Sequence, residues 1–132
     1  MTTALYTHAS SAEHDTGEGH PERIERIEAV NAALSGESWA ALRRSDAPRA
    51  TPDQLKRVHV GGYVDLVLDN IPEQGYARLD ADTVLSPGTG EAALRAAGAI
   101  IAAVDDVVAG TADNAFCAVR PPGHHAEPQR GM

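Results

Sequence analysis

The chain has 132 residues, 42% of them hydrophobic, and a formal net charge of -8, the scale of one domain with enough apolar material for a core. That acidity argues against a nucleic-acid partner, since backbone binding needs clustered Lys and Arg to displace counterions. No apolar run approaches the roughly eighteen residues of a membrane span, Met1-Thr2-Thr3 opens no basic-then-apolar leader, and the lone Cys117 permits neither an internal disulfide nor a cysteine-rich zinc site; the expectation is a soluble, cytoplasmic chain without a membrane partner.

Ala4-Leu5-Tyr6-Thr7-His8 is a short apolar and aromatic stretch that suits a strand, and the polar, glycine-bearing residues from Ala9 to Gly19 suit a loop. Next, Ile24, Ile27, Val30 and Leu34 recur at intervals of three and four, while Arg23, Glu25, Arg26 and Glu28 fill the remaining surface. That spacing predicts an amphipathic helix starting at Pro21, whose missing N–H has no partner in a first turn anyway, and stopping at Gly36. A second strand is expected over Trp39 to Ser45. Thr51-Pro52-Asp53-Gln54 has the composition of a capping box and opens a short helix to about His59. Gly61-Gly62 interrupts that helix, spacing resumes with Tyr63, Leu66 and Val67, and Ile71-Pro72-Glu73-Gln74-Gly75 supplies a turn.

The strongest periodic signal runs from Pro87 to Val108, with Leu94, Ala97, Ile101, Val104 and Val108 on one stripe, Ser86 as the cap and Gly110 as the stop. Its alanines and Gly98 leave little bulk, which permits close packing. Asn114-Ala115-Phe116-Cys117-Ala118-Val119 then reads as a buried strand that enters Arg120 and a Pro-Pro-Gly turn, with Cys117 a small apolar residue within it. Helices alternating with short apolar strands predict an α/β fold with a mainly parallel sheet. In such folds sites gather beyond the carboxyl ends of strands, and His124-His125 lies just there; solvated turn histidines are the plain alternative.

Arg120-Pro121-Pro122-Gly123-His124-His125-Ala126 closely resembles the signature of histone deacetylases and their bacterial relatives, the acetylpolyamine amidohydrolases and acetoin-utilisation proteins. Gly19-His20-Pro21-Glu22-Arg23, Val58-His59 with Tyr63, and Asp82-Thr83 ahead of Ser86-Pro87-Gly88 occur in the same order as in that family, so the resemblance covers nearly the whole chain. It implies the arginase/deacetylase fold and a zinc-dependent hydrolysis of N-acetylated amines, with acetyl-lysine or an acetylated polyamine as substrate. By the same resemblance His125 is the general base and general acid and His124 its electrostatic partner, roles suited to imidazoles that titrate near neutrality. Gly123 shapes the turn, and His20 or Glu22 orients the loop beside the substrate channel.

The resemblance also implies zinc ligands, an Asp-x-His motif and a further Asp, that follow the His pair, with a later Tyr on the oxyanion. After His125 only Ala126-Glu127-Pro128-Gln129-Arg130-Gly131-Met132 follow, and no Asp-x-His triplet occurs anywhere. No residue is therefore assigned to metal. The expectation is an N-terminal fragment of a single deacetylase-like domain over residues 1–132, inactive by itself. Gly61 replaces an Asp with which some eukaryotic members bind the substrate backbone, which leaves small acetylated amines open. A non-catalytic pseudoenzyme or assembly module is the alternative; a two-manganese ureohydrolase relative ranks last, because its Asp-rich motifs are missing.

Three other groupings invite a site. His8, His14 and His20, interspersed with Glu13, Asp15, Glu18 and Glu22, could form a second metal centre, but their spacing fits neither a helix face nor a strand face and a polar loop is the favoured reading. Asp80 and Asp82 read as a solvated turn rather than an acid pair. Asp105-Asp106 reads as the exposed side of a helix.

Overall fold

The computed structural model describes residues 1–131. Its centre is a three-stranded parallel sheet in the order β2-β1-β5, formed by β1 (Thr3–Thr7), β2 (Arg43–Asp46) and β5 (Asn114–Ala118). In register, Ala4 faces Ala115 and Tyr6 faces Cys117 across β1 and β5, while Leu5 faces Phe116 and Thr7 faces Ala118. Strand residues alternate between faces. Ala4, Tyr6, Ala115 and Cys117 therefore meet one layer, the long helix α4 (Thr89–Val108), through Ala99 and Ala103. Leu5 and Ala118 meet the opposite layer, α1 (Ile24–Leu34), through Ile27, with Leu34 and Leu42 beside them. The expected α/β class with a parallel sheet is what folds.

Between β2 and α4 lie two short helices, α2 (Pro52–Leu55) and α3 (Gly61–Asp69), and a small antiparallel ribbon of β3 (Ala77–Arg78) and β4 (Val84–Leu85). The ribbon escaped sequence reading because two-residue strands carry no period. Thr51 and Gln54 complete the capping box: the Gln54 N–H donates to Thr51 Oγ at 3.2 Å and the Thr51 N–H to Gln54 Oε1 at 2.8 Å. The helix it opens ends at Leu55, short of His59. Gly61-Gly62 does not interrupt but begins α3, because the Val60 carbonyl takes the Tyr63 and Val64 N–H groups and the glycines sit only in the first turn. The expected strand at Trp39 is a 3-10 turn (Glu37–Trp39), and pairing starts at Arg43, which lies opposite Ala4. Pro21 precedes rather than opens α1, whose N-cap is Arg23.

Three expectations about α4 are corrected. Its buried side is Thr89, Ala92, Gly98, Ala99 and Ala103, whereas Val104 is 55% and Val108 82% exposed. The bulky stripe gives way to the small one because the chain between β2 and α2 crosses the helix at Gly98: a Cβ there would stand 1.9 Å from the Pro48 carbonyl oxygen, and the Ala50 N–H donates to the Leu94 carbonyl at 2.9 Å. Ser86 does not cap the helix, whose N-cap is Gly88; its hydroxyl accepts the Asp15 N–H at 2.9 Å instead. At the other end Asp105 is exposed as expected, but Asp106 is only partly so. It accepts the Tyr6 and Thr111 hydroxyls and pairs with Arg43, bonds that hold its carboxyl down to about 2, the Tyr6 bond foremost. One helical turn is thereby tied to β1 and β2.

Replacing Gly98 by Ala sets two effects against each other. Helix propensity favours Ala by about 1 kcal/mol, but overpacking against backbone that cannot rotate away costs about 1–3 kcal/mol. The expected outcome is a lower midpoint in urea denaturation followed by far-UV circular dichroism.

Candidate functional site

Strand β5 ends at Ala118, and two residues later the chain makes its most buried charge: Arg120 is 4% exposed. A buried guanidinium is tolerated only when paired and fully hydrogen-bonded. Its Nε and Nη2 donate to the two carboxylate oxygens of Glu22 at 2.6 and 2.7 Å, and its Nη1 to the carbonyls of Ser11 and His14 at 2.7 and 2.9 Å. The backbone N–H of Arg120 donates to Ser11 Oγ at 3.2 Å. Residues 9–19, expected to be a polar loop, thus form a 3-10 turn (Ala9–Ala12) with Ser10, Ser11, His14 and Thr16 buried beneath this network. The Ser11 and His14 carbonyls accept from the Arg120 charge, while Ser10 bonds to His8 and the Thr16 hydroxyl donates to the Glu22 carbonyl.

Past Arg120, Pro121 and Pro122 lead to Gly123, whose φ of +63° is the left-handed conformation open to glycine without strain. The Ala126 N–H donates to the Gly123 carbonyl at 3.0 Å and closes the turn around the His pair. Both imidazoles are exposed, with ring centroids 4.1 Å apart and planes inclined by 48°. Among the described residues, no side-chain hydrogen bond reaches either ring. The chain then folds back: the Val60 N–H donates to the Pro128 carbonyl at 2.9 Å, His59 Nδ1 lies 3.1 Å from the Glu127 carbonyl, and Gly131 sits so close to Tyr63 that a Cβ would fall 2.6 Å from its hydroxyl.

His14 is 4% exposed and joins the Arg120 network to the start of α4. The Ser86 N–H donates to Thr89 Oγ at 2.8 Å, and the Thr89 hydroxyl lies 2.8 Å from His14 Nδ1. With Thr89 donating to Nδ1, the ring proton sits on Nε2, 3.7 Å from a Glu22 oxygen. Burial holds the His14 pKa below the ordinary imidazole value, and the Arg120 charge lowers it further against the opposing pull of Glu22. His20 stands apart: the Glu22 N–H donates to its Nδ1 at 3.1 Å, leaving Nε2 to face the Asp82 carbonyl at 3.3 Å. His8 serves the 3-10 turn, accepting the Ser10 N–H. Among the described residues no three His, Cys, Asp or Glu side chains gather as a metal site. The Asp80 carboxylate accepts the Asp82 and Thr83 N–H groups, the turn the sequence suggested. Cys117 is half-buried in β5, and burial raises its thiol pKa, so it is no ready nucleophile.

An open cleft of about 1370 Å³ has His20, His124 and His125 on its polar side and apolar residues such as Val64, Leu68, Leu94 and Ile100 on its walls. The arrangement can move protons at the mouth of an apolar space. Of the residues singled out from sequence, His124, His125, His20, Glu22 and Gly123 all border this cleft. Arg120 and His14 carry more of its construction than the sequence suggested. A signal for Arg120 existed: an arginine at the end of an apolar strand needs a buried acid, and Glu22 was available.

Fold and site together define an α/β protein that presents two adjacent imidazoles beyond the carboxyl end of a parallel strand. The histone deacetylase domain model matches residues 20–132, and the chain belongs to that family. It is 37% identical over 115 residues to a histone deacetylase-like amidohydrolase of Pseudomonas aeruginosa, covering 86% of this chain and 30% of that protein. It is 32% identical over 134 residues to a probable deacetylase of Archaeoglobus fulgidus, covering 99% of this chain and 37% of that one. The crystal structure of the HDA15 HD domain superposes with a TM-score of 0.92 at 30% identity, over 99% of this chain and 38% of that one. The chain thus spans about a third of these relatives' length.

The lowered His14 pKa makes a stability prediction. The unfolded imidazole titrates near 6.5 and takes up a proton more readily than the folded one, so the contribution of neutral His14 is fully present above that value and is lost as pH falls through it toward the lower folded pKa. Urea midpoints measured between about pH 8 and pH 5 should fall on the acid side. His14→Gln should flatten that fall.

Proposed function

We propose that this chain supplies the proton-handling part of a zinc-dependent deacetylase that hydrolyses the acetyl amide of acetyl-lysine or of an acetylated polyamine. The observation that carries the reading is the exposed His124–His125 pair, rings 4.1 Å apart, at the border of an apolar cleft. The work of such a pair is acid–base chemistry. His125 accepts a proton from the attacking water and returns it to the departing amine, while His124 as a cation stabilises the charge that develops. The family membership supports the amide as substrate, and the apolar cleft suits an acyl chain.

Zinc enters through the resemblance alone. The chain has no Asp-x-His triplet, and among the described residues no three suitable donors gather. Its donor set does not fit the ion, and the residues of this chain are assigned protons only. Inactivity of the chain by itself belongs to the same reading.

Two measurements test it. The purified 132-residue chain should not release acetate from a fluorogenic acetyl-lysine or from an acetylpolyamine, and zinc-dependent turnover abolished by His125→Ala would overturn the assignment. Joined to the portion of the Pseudomonas aeruginosa relative that lies beyond its match, the chain should become a deacetylase, and His125→Ala should then cost about 10²–10⁴-fold in kcat/KM.

A second reading, an assembly module, has its own observation. One edge of β5 is unpaired in the described sheet, and Phe116 is 52% and Val108 82% exposed beside it, a combination that invites pairing with another chain. Light scattering after size exclusion distinguishes the two: a stable oligomer favours the module, and a monomer at all concentrations counts against it.

A further inference from the structure

We propose that Glu22 and Arg120 are positioning residues for the His124–His125 pair, an inference that rests on reading that pair as the proton-handling groups. Among the described residues no side chain hydrogen-bonds either ring, so within this part of the fold the placement of the pair rests on the backbone that bears it. That backbone is fixed at both ends. On the entry side Arg120 spends Nε and Nη2 on both oxygens of Glu22, Nη1 on two carbonyls, and its N–H on Ser11 Oγ. The guanidinium is locked in a planar fork, which fixes the position and direction of the chain as it leaves β5.

Pro121 and Pro122 then carry that direction forward, because each ring holds its own φ near about -65°. Gly123 is the only residue between Arg120 and His124 with unrestricted φ, and its carbonyl is occupied by the Ala126 N–H. On the exit side the Glu127 and Pro128 carbonyls face His59 and Val60. The entry side alone depends on a pair of charges, and it joins the turn to the segment just before α1. His14, 3.7 Å from the same Glu22 carboxylate, backs the fork from behind. Glu22 acts on the histidines through Arg120, at a distance of several residues.

The test is side-chain NMR of the 132-residue chain, observing the nuclear Overhauser effect between the two imidazoles. In the unsubstituted protein the rings are close enough for a strong inter-ring signal. Glu22→Gln keeps the shape of the acid but removes the charge, and Arg120→Lys keeps the charge but removes the fork. Each should lose the inter-ring signal while far-UV circular dichroism is retained. Asp106→Asn breaks a different ion-paired cluster, at the far end of α4, and should lower the melting temperature with the inter-ring signal intact. An inter-ring signal retained in Glu22→Gln or Arg120→Lys, or lost equally in Asp106→Asn, overturns the proposal. Should either fork variant fail to fold, the unsubstituted chain decides: on warming, the protected Arg120 Nε–H and the inter-ring signal disappear together if the fork positions the pair, and early loss of the inter-ring signal alone overturns it. None of these readouts needs turnover. Failure of the deacetylase reading would therefore appear in the acetate assay, and failure of this one in the spectra.

Discussion

The site depends on the requirement that a guanidinium taken out of water be met on every side. Arg120 meets it with one carboxylate, two carbonyls and a serine hydroxyl drawn from segments a hundred residues away in the chain. Removing one partner of such a pair costs about 3–5 kcal/mol, because the survivor is left charged and alone. That penalty is what makes the network specific. It fixes the 3-10 turn, the segment ahead of α1 and the end of β5 in one mutual arrangement, and the His pair is carried on the end of that arrangement.

The sheet is held together differently, by smallness rather than by charge. Ala4, Ala99, Ala103 and Ala115 bring α4 close to β1 and β5, and Gly98 lets another stretch of backbone pass against the helix. Such contacts need almost no side-chain ordering, but they leave the large residues of α4 on the outside. The exposed Ile100, Val104 and Val108, the free edge of β5 and the open cleft lie where the described residues supply no further layer. The two relatives and the solved structure named above are about three times as long as this chain.

Much of this was legible in the residues. The alternation of helices and apolar strands predicted the α/β class, the capping box at Thr51 formed as its spacing required, and the signature around His124 and His125 pointed to the family that the comparisons identify. Local rules held at the Thr51 capping box, whose partners lie within one turn of each other, but not at Ser86 or Pro21. They also failed along α4, where the outcome rests on what the rest of the chain brings alongside.

The same division holds within the site. Sequence by itself determined that two histidines follow a Pro-Pro-Gly turn at the end of a strand, because ring-fixed φ angles and a glycine in the left-handed region are local properties. Only the tertiary structure decided that Arg120 is buried against Glu22, that His14 is a buried link between that pair and α4, and that Asp106 ties a helix end to two strands. The physical reason is common to all three. A charged or titratable side chain acquires its role from the groups that replace its water, and those groups come from distant parts of the chain.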